Sequence, residues 1–473
     1  MKVIKFGGSS LADAAHIKQV CNIILSDKKR RLVVVSAPGK RHDDDIKVTD
    51  MLIALAEKYM EIGNPNFQQE SEEKLQLIVE RYKSIAVELQ MNNDIITVIE
   101  ADLRSRLALR SNGRRHDDGT VEHISDEQFM DLMKAAGEDN SAKLVASYLI
   151  NTGVNAQYIN PRDAGMILSN EYGNARVLPH SYEMLNKLNE NENLMIFPGF
   201  FGYSHNGDVV TFSRGGSDVT GAVLAAAVKA EVYENFTDVD SVYAANPRII
   251  EEPKPIPVFT YAEMRELAYA GFTVLHEETL EPVYKMSIPV NIKNTNNPDS
   301  PGTFIVPERM DIDETPVVGI AADRGFFTLN VTKYMMNREI GFGRKLLQIL
   351  EDEGVSYEHT PSGIDSICVV VRNRNCPVEV RDNIVRTIYN ELQVDEVTLE
   401  DDMAIVMLVG QGMLKRVGLA ARATSALSNS KINISMINQG SSEVSIMFGV
   451  KGADSDKSVK ALYNEFFLNE FKE

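Results

Sequence analysis

The sequence predicts an α/β protein: a mainly parallel sheet covered on both faces by helices, followed by two small ferredoxin-like βαββαβ modules. Three observations carry this. Short apolar strand candidates alternate with amphipathic helical patterns from Val3 to Phe236, as in successive βαβ units. A turn-forming run, Asn294–Thr303 (NTNNPDSPGT), then marks a candidate domain boundary. Beyond it an internal repeat is offset by 77 residues, pairing Gly341, Leu350, Val355, Ser356, Ile367 and Val369 with Gly418, Leu427, Ile432, Asn433, Val444 and Ile446.

The elements follow in chain order. Val3-Ile4 begins a strand, a Gly-rich turn follows, and a helical pattern covers about Ala12–Leu25. Leu32–Ser36 (LVVVS) is a fully apolar strand, and Met51–Tyr59 is helical. Residues from Gln68 to Ser111 are charge-rich and helical, an insertion packed on the sheet. The polar stretch Gly113–Ser125 reads as a solvated loop. Further strands are expected at Ala156–Ile159, Leu194–Phe197, Val209–Phe212 and Glu231–Phe236. In each copy of the repeat a glycine opens an amphipathic helix, with strands after it. Two strand segments, Val317–Ala321 and Phe326–Val331, precede the first copy.

The 473 residues suffice for about three domains. A formal net charge of −19 argues against nucleic acid or an anionic membrane as a main partner. Cys21, Cys368 and Cys376 are widely spaced, which suggests neither a disulfide framework nor a zinc knuckle. The N-terminus reads as a strand and not a signal peptide, and no apolar run reaches the roughly 18 residues of a membrane span. The expectation is a reduced, cytoplasmic protein.

Three clusters carry chemistry. Lys5-Phe6-Gly7-Gly8-Ser9-Ser10 follows a strand and opens a helical pattern. Backbone N–H groups of such a turn make an anion site, and a preceding lysine adds a point charge for a phosphoryl group. A plain strand-to-helix turn would also use Gly-Gly, and neither a Walker A loop nor a GxGxxG fingerprint occurs. The second cluster is Phe212-Ser213-Arg214-Gly215-Gly216-Ser217-Asp218. Arginine grips carboxylates bidentately, and the glycines allow close backbone approach. Ser217-Asp218 also suits a helix N-cap, which leaves Arg214 unexplained. The third, Thr237-Asp238-Val239-Asp240-Ser241-Val242-Tyr243 with Asn246-Pro247-Arg248, suits either a nucleotide contact or a surface turn.

KFGGSS, Val33–Gly39 (VVVSAPG), Gly137-Glu138, FSRGGSD, TDVDSVY with NPR, and Val274-Leu275-His276 occur in the order seen in aspartokinases, and the C-terminal repeat resembles their paired ACT domains. The resemblance spans essentially the whole chain. It implies an αβα amino-acid-kinase fold with an eight-stranded sheet over residues 1–305, with the helical insertion at 68–125. One ACT domain would cover 325–400, and a second 315–323 plus 401–473. A fused homoserine dehydrogenase is not expected after Glu473.

The resemblance further implies transfer of the ATP γ-phosphate to the side-chain carboxylate of L-aspartate, with Mg²⁺ bridging the phosphates. Lys5 would stabilise the phosphoryl group, Asp218 would hold Lys5, and Gly7, Gly8 and Ser9 would cradle phosphates. Ser36, Thr49, Glu138, Arg214 and Ser217 would bind aspartate, with Glu138 suited to the ammonium. Thr237, Asp238, Tyr243 and Arg248 would contact the nucleotide. Many aspartokinases carry lysine directly before Val-Leu-His; here that phosphate position is Thr273. An effector amino acid, lysine or threonine or both, would bind the ACT pair at a dimer interface. Met336, Glu358, Ser362 and Asp365 are the candidate contacts, a core methionine and loop polar groups being the plainer alternative. Other readings are an amino-acid kinase acting on glutamate, acetylglutamate or a nucleotide, and an amino-acid sensor with an inactive kinase domain.

Overall fold

The runs richest in valine and isoleucine lie where two layers of helix exclude water. Val3 and Ile4 of strand Lys2–Phe6, and Leu32 to Val35 of strand Arg30–Val35, have no exposed surface. The computed structural model describes residues 1–61, 67–115, 120–213, 215–272, 275, 277–312, 314–440 and 444–469. The chain divides into two units: residues 1–242, 257–261 and 274–309, and residues 243–256, 262–273 and 310–473.

In the first unit an eight-stranded sheet has the order Val258–Thr260, Thr303–Val306, Val290–Asn294, Tyr233–Thr237, Lys2–Phe6, Arg30–Val35, Leu194–Pro198, Ala156–Tyr158. All neighbours are parallel except Val290–Asn294 against Thr303–Val306. Ile4, Phe6, Val33 and Val35 face one helical layer: Ala14–Leu25, Val48–Met60, Phe67–Glu88, Asp94–Asn112 and Asp126–Asn151. Alternation turns Lys5 to the opposite face, toward helix Gly216–Val228. This is the αβα sandwich.

Three expectations need correction. The helix after KFGGSS starts only at Ala14, because the Asp13 carboxylate accepts the His16 N–H at 3.0 Å and caps it; a 3₁₀ turn, Gly8–Leu11, comes first. The stretch after Gly113 is not all loop: Arg114–Arg115 pairs with Val121–Glu122. The strand expected at Val209–Phe212 is present as Val209–Thr211, paired with Phe201–Tyr203 in a separate hairpin. Asn294–Thr303 is no boundary; it turns the chain between two antiparallel strands of one sheet, and the division falls at 309/310.

In the second unit, strands Gly319–Thr332 and Glu396–Val409 pair along their lengths at the centre of a five-stranded sheet, between Ser366–Arg372 on one side and Ser445–Lys451 then Met436–Asn438 on the other. The two segments Val317–Ala321 and Phe326–Val331 thus fall largely within one long strand, whose register shifts around Gly325 at φ +88°. Gly341 and Gly418, matched in the repeat, both cap helices from the left-handed region, φ +81° and +91°, ahead of Phe342–Asp352 and Leu419–Asn429.

Candidate active site

Four adjacent parallel strands end together. Phe6 is level with Phe236 on one side and Val35 on the other, and Val35 is level with Pro198. The residues just past those ends are therefore Gly7, Thr237-Asp238, Ser36 and Gly199. Ligands of open α/β sheets bind at such carboxyl ends.

Lys5 is 7% exposed, so its ammonium must be paired. Its Nζ lies 2.6 Å from Asp218 Oδ1 on the first turn of helix Gly216–Val228. The same oxygen accepts from Asn235 Nδ2 at 2.8 Å. Asn235 is in register with Lys5 on the neighbouring strand and shares its face. Tyr233 OH donates to the Asp218 carbonyl at 3.1 Å. A Cβ on Gly7 would stand 3.5 Å from Lys5 Nζ, so the ammonium lies directly beneath the glycine turn. One of its three donor directions is spent on Asp218; the others are suited to a phosphoryl oxygen above it.

The turn itself is closely built. Gly7 N donates to the Phe236 carbonyl at 3.3 Å and Gly39 N to the Gly8 carbonyl at 2.8 Å. A Cβ on Gly39 would sit 2.6 Å from the Gly8 carbonyl carbon, and one on Gly8 would sit 2.9 Å from the Ala37 oxygen. Gly8 and Gly39 are glycines because two backbones cross here. Ser9 is exposed and Ser36 half-buried.

Glu138 lies within helix Asp126–Asn151 and is 6% exposed. Burial pushes its carboxyl up to about 8, against a hydrogen bond from the Ala37 backbone that favours the charge. Its Oε2 is buried with no partner among the described residues. Thr49 joins the same neighbourhood: a Cβ on Gly137 would stand 2.8 Å from Ala37 Cβ and 3.8 Å from Thr49 Oγ1. Tyr82, fully buried, donates to the Gly137 carbonyl at 2.9 Å.

Ser217 is not the N-cap of its helix. Gly215 takes that place at φ +75°, with no side-chain cap, so Ser217 and Asp218 are free for other work. A Cβ on Gly199 would stand 2.6 Å from Ser217 Oγ, which seats Ser217 at the end of strand Leu194–Pro198. Asp238 is exposed, and Thr237 Oγ1 donates to its Oδ1 at 3.1 Å. Tyr243 and Arg248 belong to the second unit. Arg214 and Thr273 lie outside the described residues. Sequence reasoning missed Gly39, Gly199, Asn235 and Tyr82; only Asn235 had a signal, its alternation with Tyr233 and Thr237 on the face of Lys5.

The effector candidates do not form one cluster of free groups. Met336 packs in the core with Phe342 and Val369, the plainer alternative. Asp365 Oδ1 accepts the Met335 N–H at 2.8 Å, and Ser362 pairs with Ile367 in a bridge. Glu358 is held by Arg372 Nε at 2.7 Å and by Tyr269 OH at 2.5 Å.

A buried lysine–carboxylate pair under a glycine turn, at the carboxyl ends of a parallel sheet between helical layers, defines a phosphotransferase site of the amino acid kinase type. Residues 1–294 match the amino acid kinase family and residues 406–466 an ACT domain; the chain belongs to that family. It is 52% identical to Aspartokinase 3 of Bacillus subtilis over 467 residues, 99% of each chain. The aspartate kinase of Clostridium acetobutylicum superposes with a TM-score of 0.83 at 38% identity, covering 98% of this chain and 100% of that one. Aspartokinase III of Escherichia coli, solved with aspartate and ADP (R-state), gives 0.74 at 27% identity, covering 99% and 100%. Its complex with lysine and aspartate (T-state) gives 0.72 at 27% identity, covering 99% of each chain. Within the family the chain is thus an aspartokinase, a kinase acting on aspartate.

Proposed function

We propose that this enzyme transfers the γ-phosphate of MgATP to the β-carboxylate of L-aspartate, forming 4-phospho-L-aspartate. The observation that carries the reading is the Lys5–Asp218 pair, 2.6 Å long and buried beneath the Gly7–Gly8 turn. A carboxylate is already nucleophilic at neutral pH, so the task is positioning and charge neutralisation, and a general base is dispensable. Lys5 faces the equatorial oxygens of the transferring group, and Asp218 with Asn235 fixes its direction. The N–H groups of Gly8 and Ser9 meet the phosphates, that of Gly7 being held by the Phe236 carbonyl. Mg²⁺ arrives with the nucleotide, as a hard cation on phosphate oxygens.

Glu138 Oε2, buried and without a partner among the described residues, supports its role as receptor of the substrate ammonium. Thr49, Ser36 and Ser217 line the same ends of the sheet, and Arg214 takes a carboxylate. Thr237 and Asp238 are assigned to the nucleotide. Thr273 brings no cation, so Lys5 and Mg²⁺ carry the phosphate charge.

Two ACT modules, 325–400 and 315–323 plus 401–473, are proposed to bind an effector amino acid at a homodimer interface and to provide feedback control. The lysine complex of the Escherichia coli relative favours lysine, with threonine the other candidate. The pathway is then the first step toward lysine, threonine and methionine, in the cytoplasm.

The test is ATP-dependent acyl phosphate formation, trapped with hydroxylamine, using L-aspartate, L-glutamate and UMP in turn. Aspartate alone should react, and lysine or threonine should slow it. Faster reaction with glutamate would overturn the substrate assignment. Effector binding without acyl phosphate would favour an amino-acid sensor.

A further inference from the structure

The helical insertion reaches back into the site through one residue. Arg81, on helix Phe67–Glu88, is 5% exposed, a position where a guanidinium is costly unless it is well paired; its Nε has no partner among the described residues, and its two terminal nitrogens carry the contacts. Its Nη2 donates to the Gly39 carbonyl at 2.8 Å and to the Ala12 carbonyl at 3.0 Å. Its Nη1 donates to Asp45 Oδ2 at 2.9 Å, and Asp45 is held in turn by Arg41 at 2.8 Å. Asp45 and Arg41 lie in the charged stretch that lengthens the loop between Ser36 and Thr49.

The two carbonyls that Arg81 grips bracket the phosphate turn. Ala12 terminates the 3₁₀ turn Gly8–Leu11. Gly39 lies on Gly8, donating to its carbonyl at 2.8 Å with no room for a Cβ between the backbones. A hydrogen-bonded path therefore runs from the Gly8 carbonyl through Gly39 to Arg81 and on to Ala12. Displacing Gly39 displaces Gly8, because backbones in van der Waals contact move together.

We propose that Arg81 is a positioning residue for phosphoryl transfer: it clamps both ends of the Gly8–Leu11 turn so that the turn's N–H groups are aimed at the nucleotide phosphates before substrate arrives. This gives the insertion a catalytic purpose, and it rests on the reading of Gly7–Ser9 as the phosphate cradle. Only arginine fits, since its planar fork serves two carbonyls and a carboxylate at once, whereas a lysine ammonium is a single point. Asp45, shared with Arg41, offsets one of the two guanidinium charges, so the group keeps a single positive charge beside the cradle.

The test compares binding of AMP and ADP by calorimetry, with kcat, in the full-length parent and in Arg81→Lys. The lysine keeps the charge but cannot span both carbonyls. The clamp predicts that Arg81→Lys loses about tenfold in ADP affinity and about ten- to a hundredfold in kcat, with AMP affinity unchanged, as expected for misaimed groups. Unchanged ADP affinity and kcat, or equal weakening of AMP and ADP, would overturn it. If Arg81→Lys does not fold, Asp45→Asn is measured instead; it removes the charge that pairs with Nη1 while both carbonyl bonds stay. It should show a smaller loss of the same ADP-selective kind, and parental behaviour would count against the clamp. A parent that binds ADP no better than AMP would sink the cradle itself, a distinguishable failure.

Discussion

Glu138 makes aspartate binding a proton-linked event. In the ligand-free protein burial holds its carboxyl at about 8, so at pH 7 roughly nine molecules in ten carry the proton there. An ammonium needs the carboxylate, so the proton must leave when aspartate binds. The cost at pH 7 is one unit below that value, about 1.4 kcal/mol or tenfold in affinity. Aspartate affinity should therefore rise about tenfold per pH unit up to pH 7 and level off above pH 8. Calorimetry at pH 7 in buffers of different ionisation enthalpy should report close to one proton released per aspartate bound. Glu138→Gln should bind far more weakly and release none. Buffer-independent heats with a flat affinity between pH 6 and 8 would refute the reasoning. Stability gives a second readout. The folded-state value lies above the ordinary 4.5, so native protein binds the extra proton between those limits. Stability from this group is fully present below pH 4.5 and is lost as pH rises through about 8. Glu138→Gln should accordingly melt higher than the parent at pH 8.5 without aspartate, and gain little when aspartate is added.

Three further outcomes follow from the geometry. Gly199→Ala places a methyl 2.6 Å from Ser217 Oγ and should raise the aspartate KM more than it lowers kcat; parental kinetics would remove Ser217 from the aspartate site. Asp218→Asn should lower kcat by about one to two orders of magnitude while ATP affinity changes little, because Lys5 loses its direction and not its presence; titration of ATP under single-turnover conditions checks this. Glu358→Gln weakens the contacts to Arg372 and Tyr269 and should shift the effector concentration for half-inhibition while the uninhibited rate stays at the parental level.

The parts of the site that are local in sequence were readable there. Lys5 with its glycines, and Asp218 behind a glycine pair, announce themselves within a few residues, and strand alternation sets Lys5 opposite the face of Ile4 and Phe6. The repeat also announced that Gly341 and Gly418 play one part, because a left-handed cap leaves a glycine at matched spacing. What could not be read is what arises where distant segments touch. Gly39 is a glycine because Gly8 lies against it, Gly199 because Ser217 does, and Arg81 meets Gly39 across a separation of 42 residues. The turn run at Asn294–Thr303 misled for a related reason. Pro, Asn and Gly mark a tight reversal, and the reversal joins two strands of one sheet instead of two domains. Glu358 was legible as a polar loop group, but its engagement by Arg372 and Tyr269 depends on pairing that only the folded sheet supplies.

The claim on which the account turns is that the buried Lys5 ammonium stabilises the phosphoryl group in flight. The direct measurement is the rate of hydroxylamine-trapped acyl phosphate from saturating aspartate and MgATP, in the parent and in Lys5→Ala. The account predicts a fall in kcat of about two to three orders of magnitude with a nearly unchanged aspartate KM. Equal turnover in the two proteins would contradict it.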